Sequence, residues 1–183
     1  MSETVEKQTV ILGVTGGIAV YKAADLCSKL AKKYNVLVVM TPNARKLISE
    51  RIFFTLSGNP VLTDLFATPE WKPAHIAWAQ KAKLLIVAPC TANFVGKYTH
   101  GIADEPLSTT ALAFRGKVLL APAMNTGMLE SAAYQDNVEV LKKRGVFFVG
   151  PECGHLACGD NGNGRMSEAE TILQAVDKLM ASC

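Results

Sequence analysis

Five short segments hold most of the residues whose types could do chemistry: 15–17, 41–43, 89–93, 122–128 and 150–165. In the first, Gly13-Val14-Thr15-Gly16-Gly17-Ile18-Ala19, adjacent glycines let a backbone approach an anion, and a following helix would aim free amides at it. The glycine spacing is not that of a dinucleotide site. Lys22 is neither preceded by Gly nor followed by Ser or Thr, so this is not a nucleotide P-loop. A ligand-free turn and a mononucleotide phosphate site both remain open, and the phosphate makes better use of the residues. In Pro89-Cys90-Thr91-Ala92-Asn93, Thr91 and Asn93 are compact hydrogen-bonding side chains that could floor a flat heteroaromatic ring, or could simply cap a helix.

Asn125, in Pro122-Ala123-Met124-Asn125-Thr126-Gly127-Met128, could hold a carboxylate without adding charge. That suits decarboxylation, because a cationic clamp would stabilise the ground-state carboxylate that must be lost. A plain turn asparagine is the alternative. His75 falls at an expected helix start, whose positive end favours the neutral imidazole a general base needs; a histidine with no catalytic part would look the same. Cys158 sits in Ala157-Cys158-Gly159-Asp160-Asn161-Gly162-Asn163-Gly164-Arg165, a glycine-rich stretch able to fold over a substrate and present a thiol as general acid. Cys153, His155 and Cys158 lie close enough to raise zinc, but no fourth ligand is evident and the spacing matches none of the usual pairs, so no metal is expected.

The elements that must position these residues follow from periodicity. Buried, β-branched runs predict strands at 9–14, 35–40, 84–88, 117–121 and 146–149, with the third and fourth stopped by Pro89 and Pro122. Helical spacing covers 18–33, 43–50 (capped by Thr41 or Asn43), 93–100, 107–114, 134–144 closed by Gly145, and 168–180. The stretch 57–73 reads as irregular, 150–165 as a loop, and 1–8 as a flexible N-terminus. Alternating strands and helices predict an α/β fold: a single domain over 1–183, with a Rossmann-like or flavodoxin-like parallel sheet and helices on both faces. Ligands of such sheets collect at the carboxyl ends of the strands, where the five segments fall.

Composition narrows the function. The formal charge of +3 and the scattered Lys and Arg argue against nucleic acid. No apolar run approaches the roughly 20 residues that span a bilayer, and the polar start is unlike a signal peptide. Five cysteines without framework spacing point to free thiols in a reducing cytoplasm.

Taken together, the segments resemble the homo-oligomeric flavin-containing cysteine decarboxylases over 9–180. The marks are Gly-Gly-Ile-Ala at 16–19 with Tyr21-Lys22, His75-Ile76, Asn93, and Pro-x-Met-Asn-x-x-Met at 122–128. Within that family, 157–166 looks like the substrate clamp of the branch acting on phosphopantothenoylcysteine in coenzyme A synthesis. Cys90-Thr91, Phe94, Leu129 and Lys83 depart from the usual pattern, and none of these changes removes a residue assigned to chemistry.

The resemblance implies FMN as cofactor. Gly16, Gly17, Ile18 and Thr41 would meet its phosphate side, Thr91 and Asn93 would lie near its ring, and Ser108 and Thr109 would be further contacts. It implies His75, Asn125 and Cys158 as catalytic residues, and Asn125, Met128, Cys158 and Arg165 as substrate contacts. The implied route oxidises the substrate thiol to a thioaldehyde, releases carbon dioxide, and reduces the enethiolate with a proton from Cys158, giving 4′-phosphopantetheine. A trimer or trimer-based dodecamer is implied, with His75 serving a neighbouring flavin, as is a phosphopantothenoylcysteine synthetase, fused or separate. A peptidyl-cysteine decarboxylase and a non-catalytic flavin-binding regulatory subunit remain the alternatives.

Overall fold

A computed structural model of the chain describes residues 7–66, 73–155, 159 and 161–182. The chain runs β1 (Thr9–Val14), α1 (Val20–Lys33), β2 (Asn35–Met40), α2 (Pro42–Arg45), α3 (Glu50–Ser57), β3 (Val61–Leu62), α4 (Ala74–Lys81), β4 (Leu84–Cys90), α5 (Ala92–His100) and α6 (Pro106–Ala113). It continues through β5 (Lys117–Pro122), α7 (Thr126–Glu130), α8 (Ala132–Lys143), β6 (Phe147–Phe148), β7 (Glu152–His155), β8 (Asn161–Arg165) and α9 (Ala169–Ala181).

Six strands form one parallel sheet in the order β3-β2-β1-β4-β5-β6. β1 and β4 lie in its middle and are buried along their whole length, which is why they read as unbroken apolar runs. Alternate β1 residues face opposite sides. Val10, Leu12 and Val14 pack with Leu26 and Leu30 of α1 and Ile172 and Val176 of α9, while Ile11 joins Phe94, Leu107 and Leu141 from α5, α6 and α8. The expected α/β architecture with helices on both faces is present.

Several boundaries differ from the sequence reading. The helix expected at 43–50 is two helices, because Thr41 caps α2 with Pro42 in its first turn and Ser49 caps α3 anew. The stretch 57–73 was expected to be irregular. It instead contains the end of α3, closed by Gly58 at φ 68°, and the short edge strand β3, whose two residues are too few to show alternation. Pro89 does not end its strand, since β4 runs through it to Cys90, whereas β5 ends on Pro122, one residue past the expected bound. The ladder between them shifts register between Val87 and Cys90, which accommodates a residue without an N–H. The supposed loop 150–165 holds an antiparallel hairpin, β7–β8, and the turn at 126–130 is α7. Of the expected flexible tail, residues 1–6 lie outside those described, Lys7 Nζ donates to Ala31 O at 2.7 Å, and Gln8 O accepts from Asn35 N at 2.9 Å.

Candidate functional site

A cavity of about 610 Å³ opens at the carboxyl edge of the sheet, where the loops after β1, β4 and β5 meet the β7–β8 hairpin. This is within the range of small-molecule and cofactor sites.

The β1–α1 loop brings Gly16, Gly17 and Ile18 to the wall. Gly16 lies so close to the start of α2 that a Cβ on it would stand 2.5 Å from Asn43 Cβ and 2.9 Å from the Asn43 carbonyl carbon. The two strand-end loops therefore close on each other only because that residue is glycine. Ala19, at the N-cap of α1, makes no side-chain cap bond. The β4–α5 loop is tied to the same turn: Thr15 Oγ1 donates to Pro89 O at 2.7 Å and accepts from Thr91 N at 3.2 Å. Thr91 lines the cavity, and its hydroxyl caps α5 by accepting from Phe94 N.

Asn125 follows β5 and also lines the cavity, with its Oδ1 accepting from Gly127 N at 2.8 Å. It is a helix cap and a cavity residue at once. The hairpin is fastened to this loop from above. Met124 N donates to Gly164 O at 3.0 Å, and Thr126 Oγ1 to Asn163 O at 2.8 Å. Gly164 has φ 138°, and a Cβ there would collide with Met124 O. On the other side, the nearly buried Lys22 Nζ reaches Met166 O at 3.2 Å and Glu168 Oε1 at 2.8 Å, and the same carboxylate oxygen pairs with Arg165 Nη2. The bond from Lys22, above all, holds Glu168 below its ordinary value of 4.5.

Gly16, Gly17, Ile18, Thr91, Asn125, Met128 and Arg165 thus come together around one cavity. Thr41 does not line it, and its hydroxyl accepts from Ala44 N. Asn93 is exposed on α5, away from the wall. Ser108 and Thr109 are also elsewhere. Ser108 is buried in a capping box with Glu105, and Thr109 donates to Ala103 O. His75 lies in the first turn of α4 and outside this cavity, its Nδ1 buried with no hydrogen-bond partner among the described residues. Cys158 lies outside the described residues, and with it the zinc question. Tyr21, Lys22, His155 and Met166 also line the wall without having been singled out as site residues. Tyr21-Lys22 carried a signal, since both follow the glycine turn, whereas His155 becomes a wall residue only through the hairpin, where it pairs with Asn161.

The wall is mostly apolar, with a few hydrogen-bonding groups and no Asp or Glu among its described residues. Such a cavity suits a flat, largely apolar ligand with an anionic end. The glycine cradle fits a flavin mononucleotide, since backbone and small side chains can approach a phosphate and ring there.

The family model described as Flavoprotein matches residues 1–181. The coenzyme A biosynthesis bifunctional protein CoaBC of Bacillus subtilis is 46% identical over 95% of this chain. The chain spans only 43% of that relative's length. The probable phosphopantothenoylcysteine decarboxylase of Streptococcus mutans is 39% identical over 93% of the chain and 98% of its own length. A solved cysteine-to-serine mutant of PPC decarboxylase, complexed with pantothenoylaminoethenethiol, superposes with a TM-score of 0.89 at 26% identity, covering 96% of this chain and 100% of that one.

Proposed function

The chain belongs to the flavoprotein family, and from that premise we propose that it decarboxylates 4′-phosphopantothenoylcysteine to 4′-phosphopantetheine with FMN. The observation that carries the reading is the meeting of the glycine cradle with Asn125 and the hairpin around one cavity. The full-length match to a probable decarboxylase of that substrate supports the choice.

FMN, when bound, supplies a two-electron acceptor and donor that makes the carbon beside the carboxylate able to release carbon dioxide. Gly16, Gly17 and Ile18 would hold its phosphate side, and Thr91 would lie against the ring. Asn125 presents its amide to the substrate carboxylate, orienting it without a charge that would favour the ground state. Met128 and Arg165 flank the substrate. Cys158 donates the proton that completes the product. His75, with a buried nitrogen that has no hydrogen-bond partner among the described residues, serves a neighbour's flavin site across a subunit boundary within a trimer or a trimer-based dodecamer. A phosphopantothenoylcysteine synthetase, fused or separate, supplies the substrate; the longer bifunctional relative supports this pairing.

The test is to purify the protein, record its flavin absorbance, and follow phosphopantothenoylcysteine by mass. Loss of carbon dioxide to phosphopantetheine is expected. Turnover of a peptide ending in cysteine instead would move the assignment to the peptide decarboxylases, and a flavin-loaded protein inert to both would leave a binding subunit. Cys158→Ser should still release carbon dioxide but accumulate the enethiol; full conversion by that variant would remove Cys158 from the chemistry.

A further inference from the structure

Two cations on the cavity wall share one counter-ion, and they are not equivalent. Lys22 has 10% of its side chain exposed and is bound to Met166 O as well as to Glu168 Oε1. Leaving that place would strand a buried ammonium. Arg165 is 42% exposed and holds the same carboxylate oxygen from the solvent side. An ion pair so exposed contributes little, and Glu168 keeps Lys22 whether or not Arg165 stays. Arg165 is thus the partner that can turn away.

The hairpin prepares that movement. The Arg165 side chain lies across Gly154, where a Cβ would stand 3.0 Å from Cδ and 3.3 Å from Nη1. The guanidinium therefore sweeps over bare backbone. His155, the next residue on β7, lines the same cavity. With no Asp or Glu on the described wall, an entering dianion meets a cation with a replaceable counter-ion, and an imidazole on the same wall. The planar fork of a guanidinium matches a phosphate in two bonds.

We propose that Arg165, with His155 on the same cavity wall, is the subsite for the phosphomonoester end of the substrate, and that Glu168, retained by Lys22, holds the guanidinium until that phosphate takes it over. The proposal rests on the phosphopantothenoylcysteine reading. It also explains a division of charge. The uncharged Asn125 faces the carboxylate that must depart, and the cation faces the remote end, where binding energy does not favour the ground state of the reacting group.

Calorimetric titration of the flavin-loaded protein with 4′-phosphopantothenate and with pantothenate tests this without any turnover. The native protein should bind the phosphorylated ligand about tenfold tighter or more, as expected of a bidentate charged contact. Arg165→Met should bring the two ligands to within about twofold, and Arg165→Lys, which keeps charge but not the fork, should fall between. FMN content, read from visible absorbance, should not change. Equal binding of both ligands by the native protein overturns the subsite, as does a preference that survives in Arg165→Met. Loss of FMN from the variants would give the arginine to the flavin phosphate and also overturn it. A native protein that shows the preference, loses it in Arg165→Met, and yet does not decarboxylate would keep the subsite and sink the reaction.

Discussion

Cysteine chemistry separates the thiols of this chain by burial. Cys27 and Cys90 are free and fully buried, and burial raises the Cys27 thiol to about 12 and pushes that of Cys90 further up. Cys153 is free and exposed on β7. Because only the thiolate attacks, iodoacetamide at about pH 8 should label native Cys153 on the order of a hundredfold faster than Cys27 or Cys90. Peptide mapping of a timed reaction checks this; comparable labelling of Cys90 would mean that the middle of the sheet opens readily. The residue scale also shows why single positions were hard to assign from sequence. Beside their ligand readings Thr91 had a capping reading and Asn125 a turn reading, and the structure gives each a cap bond and a place on the cavity wall.

At the scale of elements, the β7–β8 hairpin depends on contacts with distant segments. It is fastened to the loop after β5 through Gly164 and Asn163, and to α1 through Glu168 and Lys22. Gly164→Ala would force a side chain into a φ of 138° and against Met124 O, costing about 2 kcal/mol. Hydrogen exchange should quicken at Met124 and in β8, with the central strands unchanged. Lys22→Met removes the buried end of the other tie. Glu168 is half-exposed, so its loss should cost only about 1 kcal/mol near neutral pH. The Glu168 carboxyl is held below 4.5 in the folded chain, so this contribution is present above that pH and disappears as acid protonates it. Thermal midpoints of native and Lys22→Met protein should therefore differ at neutral pH and converge as the pH falls below 4.5. A gap that persists in acid would mean that Lys22 acts through packing instead.

For the whole molecule, large apolar side chains stand in solvent on the single chain, among them Phe66 at 89%, Phe54 at 54% and Leu112 at 54% exposure. Such residues support an assembly in which other copies cover part of the surface. Under the proposed trimer, His75→Asn and Asn125→Ala should each be nearly inactive alone, whereas co-expressed subunits should regain a measurable fraction of activity by pairing an intact His75 with an intact Asn125. Sedimentation of the same preparations reports the assembly. A stable, active monomer, or hybrids without recovery, would mean that His75 does not act across a subunit boundary. No helix among the described residues is long and apolar enough to cross a membrane.

The sequence by itself determined the alternation of buried strands and amphipathic helices, the parallel α/β sheet, and the strand-end loops where chemistry would gather. Those features are local: burial on both faces leaves an unbroken apolar run, and a helix shows its stripe within a few turns. Tertiary structure alone decided that 150–165 contains a hairpin, since its pairing is made by backbone groups of glycine-rich strands that carry no apolar alternation. It also decided the partner of Lys22. Glu168 is 146 residues away, and no periodicity in either helix announces the other. Which wall residues meet, and which cation can be released, depends on distances that close only when the chain is folded.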